Sequence, residues 1–87
     1  MTSRKPVELT FIYRSGCHLC DVMWEELELF RASPSVHIRQ LDLARERGLE
    51  AEYGALIPVL LHADHEICHY FLDSEKLTSY LEEQTSI

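Results

Sequence analysis

The sequence predicts an α/β fold in the order β-α-β-α-β-β-α, with a four-stranded mixed sheet flanked by three helices. Three observations point to it. An alternating, β-rich segment opens the chain at Val7–Tyr13, an amphipathic helical pattern follows it, and a fully apolar run, Ile57-Pro58-Val59-Leu60-Leu61, returns after a second strand–helix pair. With 87 residues, against ~100–200 for an average domain, one domain spanning 1–87 is expected.

Each element has its own signal. Val7 to Tyr13 alternates and then becomes wholly apolar, which reads as a strand. Ser15-Gly16 breaks it, and Cys17 opens a helix. Met23, Trp24, Leu27 and Phe30 then recur at helical spacing, with Asp21, Glu25, Glu26 and Glu28 mostly on the other side, until Ser33-Pro34-Ser35 stops the helix near Ala32. Val36, Ile38 and Leu41 mark a second strand to about Leu43. Arg45 to Tyr53 reads as a short charged helix with Gly54 at its C-cap. Pro58 cannot donate to a sheet ladder, so it belongs at the first residue of the strand that follows. Ala63-Asp64-His65-Glu66 is a turn into a strand over Ile67–Phe71. Asp73 or Ser74 caps a last helix whose core stripe is Leu77, Tyr80 and Leu81. The first three elements form a βαβ unit, whose two strands should be parallel; the last two strands form a hairpin.

Composition narrows the function. Apolar residues at 46% and charged residues at 26% exclude a disordered or fibrous chain. Eight Lys and Arg against fifteen Asp and Glu give a net charge of −7, the wrong sign for nucleic acid or an anionic membrane surface. The longest apolar run, Ala55 to Leu61, falls far short of the ~18 residues of a membrane span. Arg4 and Lys5 near the start are followed by a stretch broken by Glu8 and Thr10, too interrupted for a signal peptide. Three cysteines are too few for a disulfide scaffold, so a reducing cytoplasm is the expected compartment and a monomer the expected state.

Chemistry concentrates at Cys17-His18-Leu19-Cys20, directly after a strand and opening a helix. Residues three apart on a helix have Cβ atoms ~5–6 Å apart, near disulfide range. A helix N-terminus favours an anion, so Cys17 is expected to be the exposed, reactive thiolate and nucleophile. Cys20, on the buried stripe, is expected to resolve the mixed disulfide. A protonated His18 would help the thiolate and Asp21 would oppose it. Two buried structural cysteines, or half of a zinc site, are the alternative readings of the pair.

The Cys-x-x-Cys after the first strand, the helix behind it and a Pro opening a later central strand resemble the glutaredoxin-like branch of the thioredoxin-fold superfamily, over essentially the whole chain. Tyr53-Gly54-Ala55-Leu56-Ile57-Pro58-Val59-Leu60 resembles the segment leading to that family's cis-proline. The resemblance implies a dithiol thiol–disulfide oxidoreductase, with Ile57 and Pro58 as a platform for the substrate chain. It implies that Arg14 lies near a glutathione carboxylate, for which a guanidinium fork is suited, and that Asp73 and Ser74 form the other glutathione corner. A solvated Arg14 and an ordinary trans Pro58 are the plain alternatives.

The sequence also departs from the pattern. His18 and Leu19 stand where glutaredoxins usually carry Pro and Tyr, and Tyr70-Phe71-Leu72 replaces a glycine pair before the last helix. Glutathione is therefore expected as a weak co-substrate at most, no bound cofactor is expected, and the expected partners are a protein disulfide and its reductase. His62, His65, Cys68 and His69 could join the cysteine pair around zinc, but alternation along a strand sends Cys68 and His69 to opposite faces, so no metal is assigned. Cys68 reads as a packed small residue. A non-catalytic binding module on the same fold, or a small zinc domain, is the competing function.

Overall fold

In the computed structural model, residues 6–85 are described; Arg4 and Lys5 lie outside them. The strands are β1 (Val7–Tyr13), β2 (Val36–Asp42), β3 (Val59–His62) and β4 (His65–His69), and the helices are α1 (His18–Glu26), α2 (Glu28–Arg31), α3 (Glu50–Tyr53) and α4 (Ser74–Thr85). The sheet order is β2-β1-β3-β4. β2 runs parallel to β1, β3 antiparallel to β1, and β4 antiparallel to β3. The sheet is mixed, as the βαβ unit followed by a hairpin requires.

Alternation along β1 divides the core between two faces. Leu9 and Phe11 pack with Cys20, Met23 and Leu27 of α1 and its end, and with Leu60, Ile67 and Leu77, so α1 and α4 cover one face. Ile12, Val59, Leu61 and Leu43 form the second cluster, under Leu49 and Tyr53. Phe11 anchors the first face. Its ring stacks 5.8 Å from Tyr13 and tilts 5.1 Å from Trp24, while the Arg31 guanidinium lies 4.1 Å over the Trp24 ring from outside.

Several boundaries differ from the sequence expectation. The helix expected from Cys17 to Ala32 is two segments that meet at Leu27, whose ψ of −8° tightens the turn as the side chain swings fully into the core. The helix expected over Arg45–Tyr53 shrinks to a 3-10 turn, Arg47–Leu49, and the single turn of α3. Glu46, at φ −114° and ψ 70°, leaves the helical region and breaks the expected helix before that turn.

The β3–β4 turn holds two residues, Ala63 and Asp64, rather than four, with Ala63 at φ 53°. On β4 the register slips so that Ile67 is left without a partner across the ladder. That bulge lets the adjacent Ile67 and Cys68 both face the core. β4 ends at His69, not Phe71, because Tyr70 turns to φ 65° and the Phe71 amide donates to the His69 carbonyl at 2.7 Å.

Candidate functional site

The site grows from the end of β1. The chain leaves Tyr13 through a turn closed by the Cys17 amide donating to the Arg14 carbonyl at 3.2 Å. Gly16 takes φ 84° in the third position of this turn, a conformation that the Cβ of other residues opposes. A Cβ on Gly16 would meet nothing within 4 Å, so the constraint is the backbone alone. Gly16→Ala should lower unfolding stability by about 1 kcal/mol. Gly48→Ala, at an ordinary φ and equally open, should change it by less than about 0.5 kcal/mol. Paired urea melts check the difference.

Cys17 is the N-cap of α1 rather than its first helical residue. Its φ and ψ of −88° and 111° are extended, and its sulfur accepts from the Cys20 amide at 3.2 Å. A cysteine thus fills the place that Ser or Asp fills at most helix starts. It is partly exposed; Cys20, one turn in, is 1% exposed. Burial first, and then the hydrogen-bonded Cys17 side chain, pushes the Cys20 thiol up to about 12. The three cysteines are free thiols.

Arg14 does not stand as a free cation at the mouth of this turn. Its guanidinium is ion-paired with the carboxylate of Glu50, the first residue of α3. The hydrogen bond to Glu50 and its charge push Arg14 further up. Charge on Cys17 and Cys20 pushes the same way, so the guanidinium lies within electrostatic reach of both sulfurs.

Gly54 is the C-cap of α3, as expected, with an ordinary helical φ of −55°. Its lack of a side chain also serves close approach. A Cβ at Gly54 would stand 1.9 Å from Oε2 of Glu50 and 2.5 Å from the Glu50 carbonyl oxygen. Glu50 carries no sequence signal for this position, since its partner lies 36 residues away in the chain.

The Ile57–Pro58 peptide is cis. Pro58 is buried just before β3, and Ile57, partly buried, packs against the same core cluster that receives Cys17. Residues 8–82 match the family profile of the Glutaredoxin-like domain (DUF836). The chain belongs to this glutaredoxin-like family.

Protein Ne2328 from Nitrosomonas europaea, solved by NMR, is similar to this glutaredoxin-like chain at 30% identity, over 92% of this chain and 96% of that one, with a TM-score of 0.76. A protein from X. campestris, solved by X-ray, is also 30% identical, over 86% and 96% of the two chains, with a TM-score of 0.67. A mutant thioredoxin from Halobacterium salinarum NRC-1 shares the fold at 19% identity and a TM-score of 0.66, over 95% of this chain and 78% of that one. No curated protein matches the chain significantly.

The remaining expected residues lie at the starts of α1 and α4 of this glutaredoxin-like fold. His18, exposed, is the first residue of α1. Asp73 caps α4, its carboxylate accepting from the Lys76 amide at 3.0 Å. Asp73 and Ser74 line a groove with Cys68, Phe71 and Leu72, and neither Arg14 nor Cys17 reaches it.

Tyr70 occupies the stretch where the glycine pair was expected and takes a glycine-like φ of 65°. Its amide donates to the Pro58 carbonyl at 2.8 Å, and its hydroxyl donates to the Ala55 carbonyl, also at 2.8 Å. Two bonds from one residue therefore fix the loop that carries Ile57 and Pro58.

The histidines take partners other than the cysteine pair. His62 hydrogen-bonds the Tyr80 hydroxyl, His65 stacks on the Tyr80 ring at 5.1 Å, and His69 pairs with Glu66 at 2.8 Å. Among the described residues, no group of three or more His, Cys, Asp or Glu converges as a metal site.

Proposed function

We propose that this glutaredoxin-like protein is a dithiol thiol–disulfide oxidoreductase. The observation that carries the reading is the asymmetry of the pair: Cys17 is partly exposed at a helix N-cap with an amide on its sulfur, and Cys20 is buried one turn deeper. The thiolate of Cys17 attacks one sulfur of a substrate disulfide, forming a mixed disulfide and expelling the other half as a thiolate. Cys20 then gives up its proton and attacks the Cys17 sulfur, releasing the second half as a thiol. Two electrons have passed to the substrate, and the protein holds a Cys17–Cys20 disulfide. An external thiol reductant returns those electrons, so no bound cofactor is needed.

Burial suits Cys20 to the second step. A thiol held at about 12 stays protonated at neutral pH until the mixed disulfide beside it offers an intramolecular target. Ile57 and Pro58 offer backbone along which an extended substrate chain can lie. Arg14 and His18 border Cys17. Asp73 and Ser74 serve the start of α4 and line a groove beside it. The proposed substrate is a protein disulfide, with glutathione a weak co-substrate at most.

Redox titration tests the reading. A Cys17–Cys20 disulfide should form reversibly with a potential in the range of roughly −180 to −270 mV, and the reduced protein should turn over a protein disulfide when supplied with a thiol reductant. A pair that oxidises but passes no electrons to any disulfide would mark a binding module.

A further inference from the structure

We propose that Glu50 is a resident carboxylate that occupies Arg14 and sets the charge selectivity of the site, so that it acts on disulfides of neutral or basic chains and discriminates against anionic small thiols. This rests on the oxidoreductase reading for its consequence but not for its geometry. Arg14 forms the base of the turn that delivers Cys17, and its guanidinium is electrostatically coupled to both thiols. A guanidinium in that position is a receptor for any carboxylate carried by an incoming thiol. Here the receptor is filled from within the chain.

Two independent features hold the Glu50 carboxylate there. α3 begins at Glu50, so the side chain projects from a fixed helical turn. One turn later Gly54 leaves open the volume that the carboxylate uses, although its φ would suit any residue. The surrounding charge acts in the same direction. Asp21, Glu25 and Glu26 are exposed along α1, the helix that begins beside Cys17. An anionic thiol therefore meets a neutralised Arg14 and an acidic helix, whereas a basic or neutral chain meets no opposing charge.

The test compares the intact protein, Glu50→Gln, and the double change Arg14→Gln with Glu50→Gln. Each is titrated with S-methylglutathione, an anionic probe that cannot react, and binding is followed at the backbone amides of residues 14–17 by NMR. Because the ion pair is solvent-exposed, Glu50→Gln should tighten binding about threefold or more, and the double change should abolish the gain. The same affinity in the intact protein and Glu50→Gln, no measurable binding to Glu50→Gln, or a gain that survives loss of Arg14 would each overturn the proposal. Glu50→Ala repeats the comparison should the Gln variant fold poorly.

A second arm measures the rate of Cys17 mixed-disulfide formation with a peptide capped by glutathione and with the same peptide capped by 2-mercaptoethanol. The ratio of the two rates, anionic over neutral, should rise in Glu50→Gln, and an unchanged ratio overturns the proposal. If neither peptide reacts with the intact protein, the oxidoreductase reading fails, and the binding arm still decides the role of Glu50.

Discussion

Replacing Cys17 with Ser should reduce disulfide reduction by about 10³-fold or more, because a hydroxyl near neutral pH offers almost none of the anion that attacks sulfur. Cys20→Ser should behave differently. The first half of the reaction proceeds, the second cannot, and the substrate remains joined to Cys17 as a mixed disulfide visible by intact mass. Alkylation of the reduced proteins checks the assignment. In Cys17→Ser, burial still holds the Cys20 thiol above its ordinary value, so Cys20 should react with iodoacetamide slowly at neutral pH, and its rate should climb about tenfold per pH unit in the alkaline range. Rapid labelling of Cys20 at pH 7, or equal loss of the first half-reaction in both variants, would reverse the roles.

Phe11→Ala should be the most damaging single change to stability. Phe11 is 1% exposed, lies between the rings of Tyr13 and Trp24, and touches the cluster that joins α1 and α4 to the sheet. Truncating such a side chain costs about 3–5 kcal/mol, through lost burial and the cavity left behind. An 87-residue chain at ~0.05–0.15 kcal/mol per residue has about 4–13 kcal/mol in total. The variant should therefore melt about 12–40 °C lower, or fail to fold. Phe11→Leu, which retains most of the volume, should lose less than half as much, and calorimetry on both distinguishes a packing role from a general sensitivity of β1.

The order of elements along the chain and the position of the cysteine pair were legible because they depend on local pattern. Alternation over Val7–Tyr13 and the apolar run at Val59–Leu61 each report burial that a strand imposes residue by residue. What the sequence hid depends on residues distant in the chain. The break at Leu27 follows from where the core lies beneath α1, and nothing in the helical spacing marks it. Arg45–Tyr53 satisfied a helical pattern, yet Glu46 leaves the helical region at φ −114° and ψ 70°, which the spacing of its neighbours does not mark.

Tyr70 is the reverse case. A bulky residue at positive φ runs against local propensity, and only its bonds to Pro58 and Ala55 explain why it stays there. Gly54 is the C-cap it was read as, and it also leaves open the volume that Glu50 uses, which no local pattern announces. The Arg14–Glu50 pair could be found only once the fold had brought the two residues together.

The sheet order has a kinetic consequence. β1 lies between β2 and β3, reaching β2 only through the α1–α2 crossover and β3 from still farther along the chain, whereas β3 and β4 form a local hairpin. Closing the sheet around β1 must wait for contacts across tens of residues, the slow class of event in folding. The cluster that buries Cys20 draws on Leu60, Ile67 and Leu77, all from the last third of the chain. As the chain emerges from the ribosome, Cys17 and Cys20 therefore begin as two equivalent, accessible thiols. Their division into one that attacks and one that waits begins with the N-cap of α1 and is complete only when the C-terminal hairpin and α4 dock, so the full burial of Cys20 is among the last properties of the molecule to form.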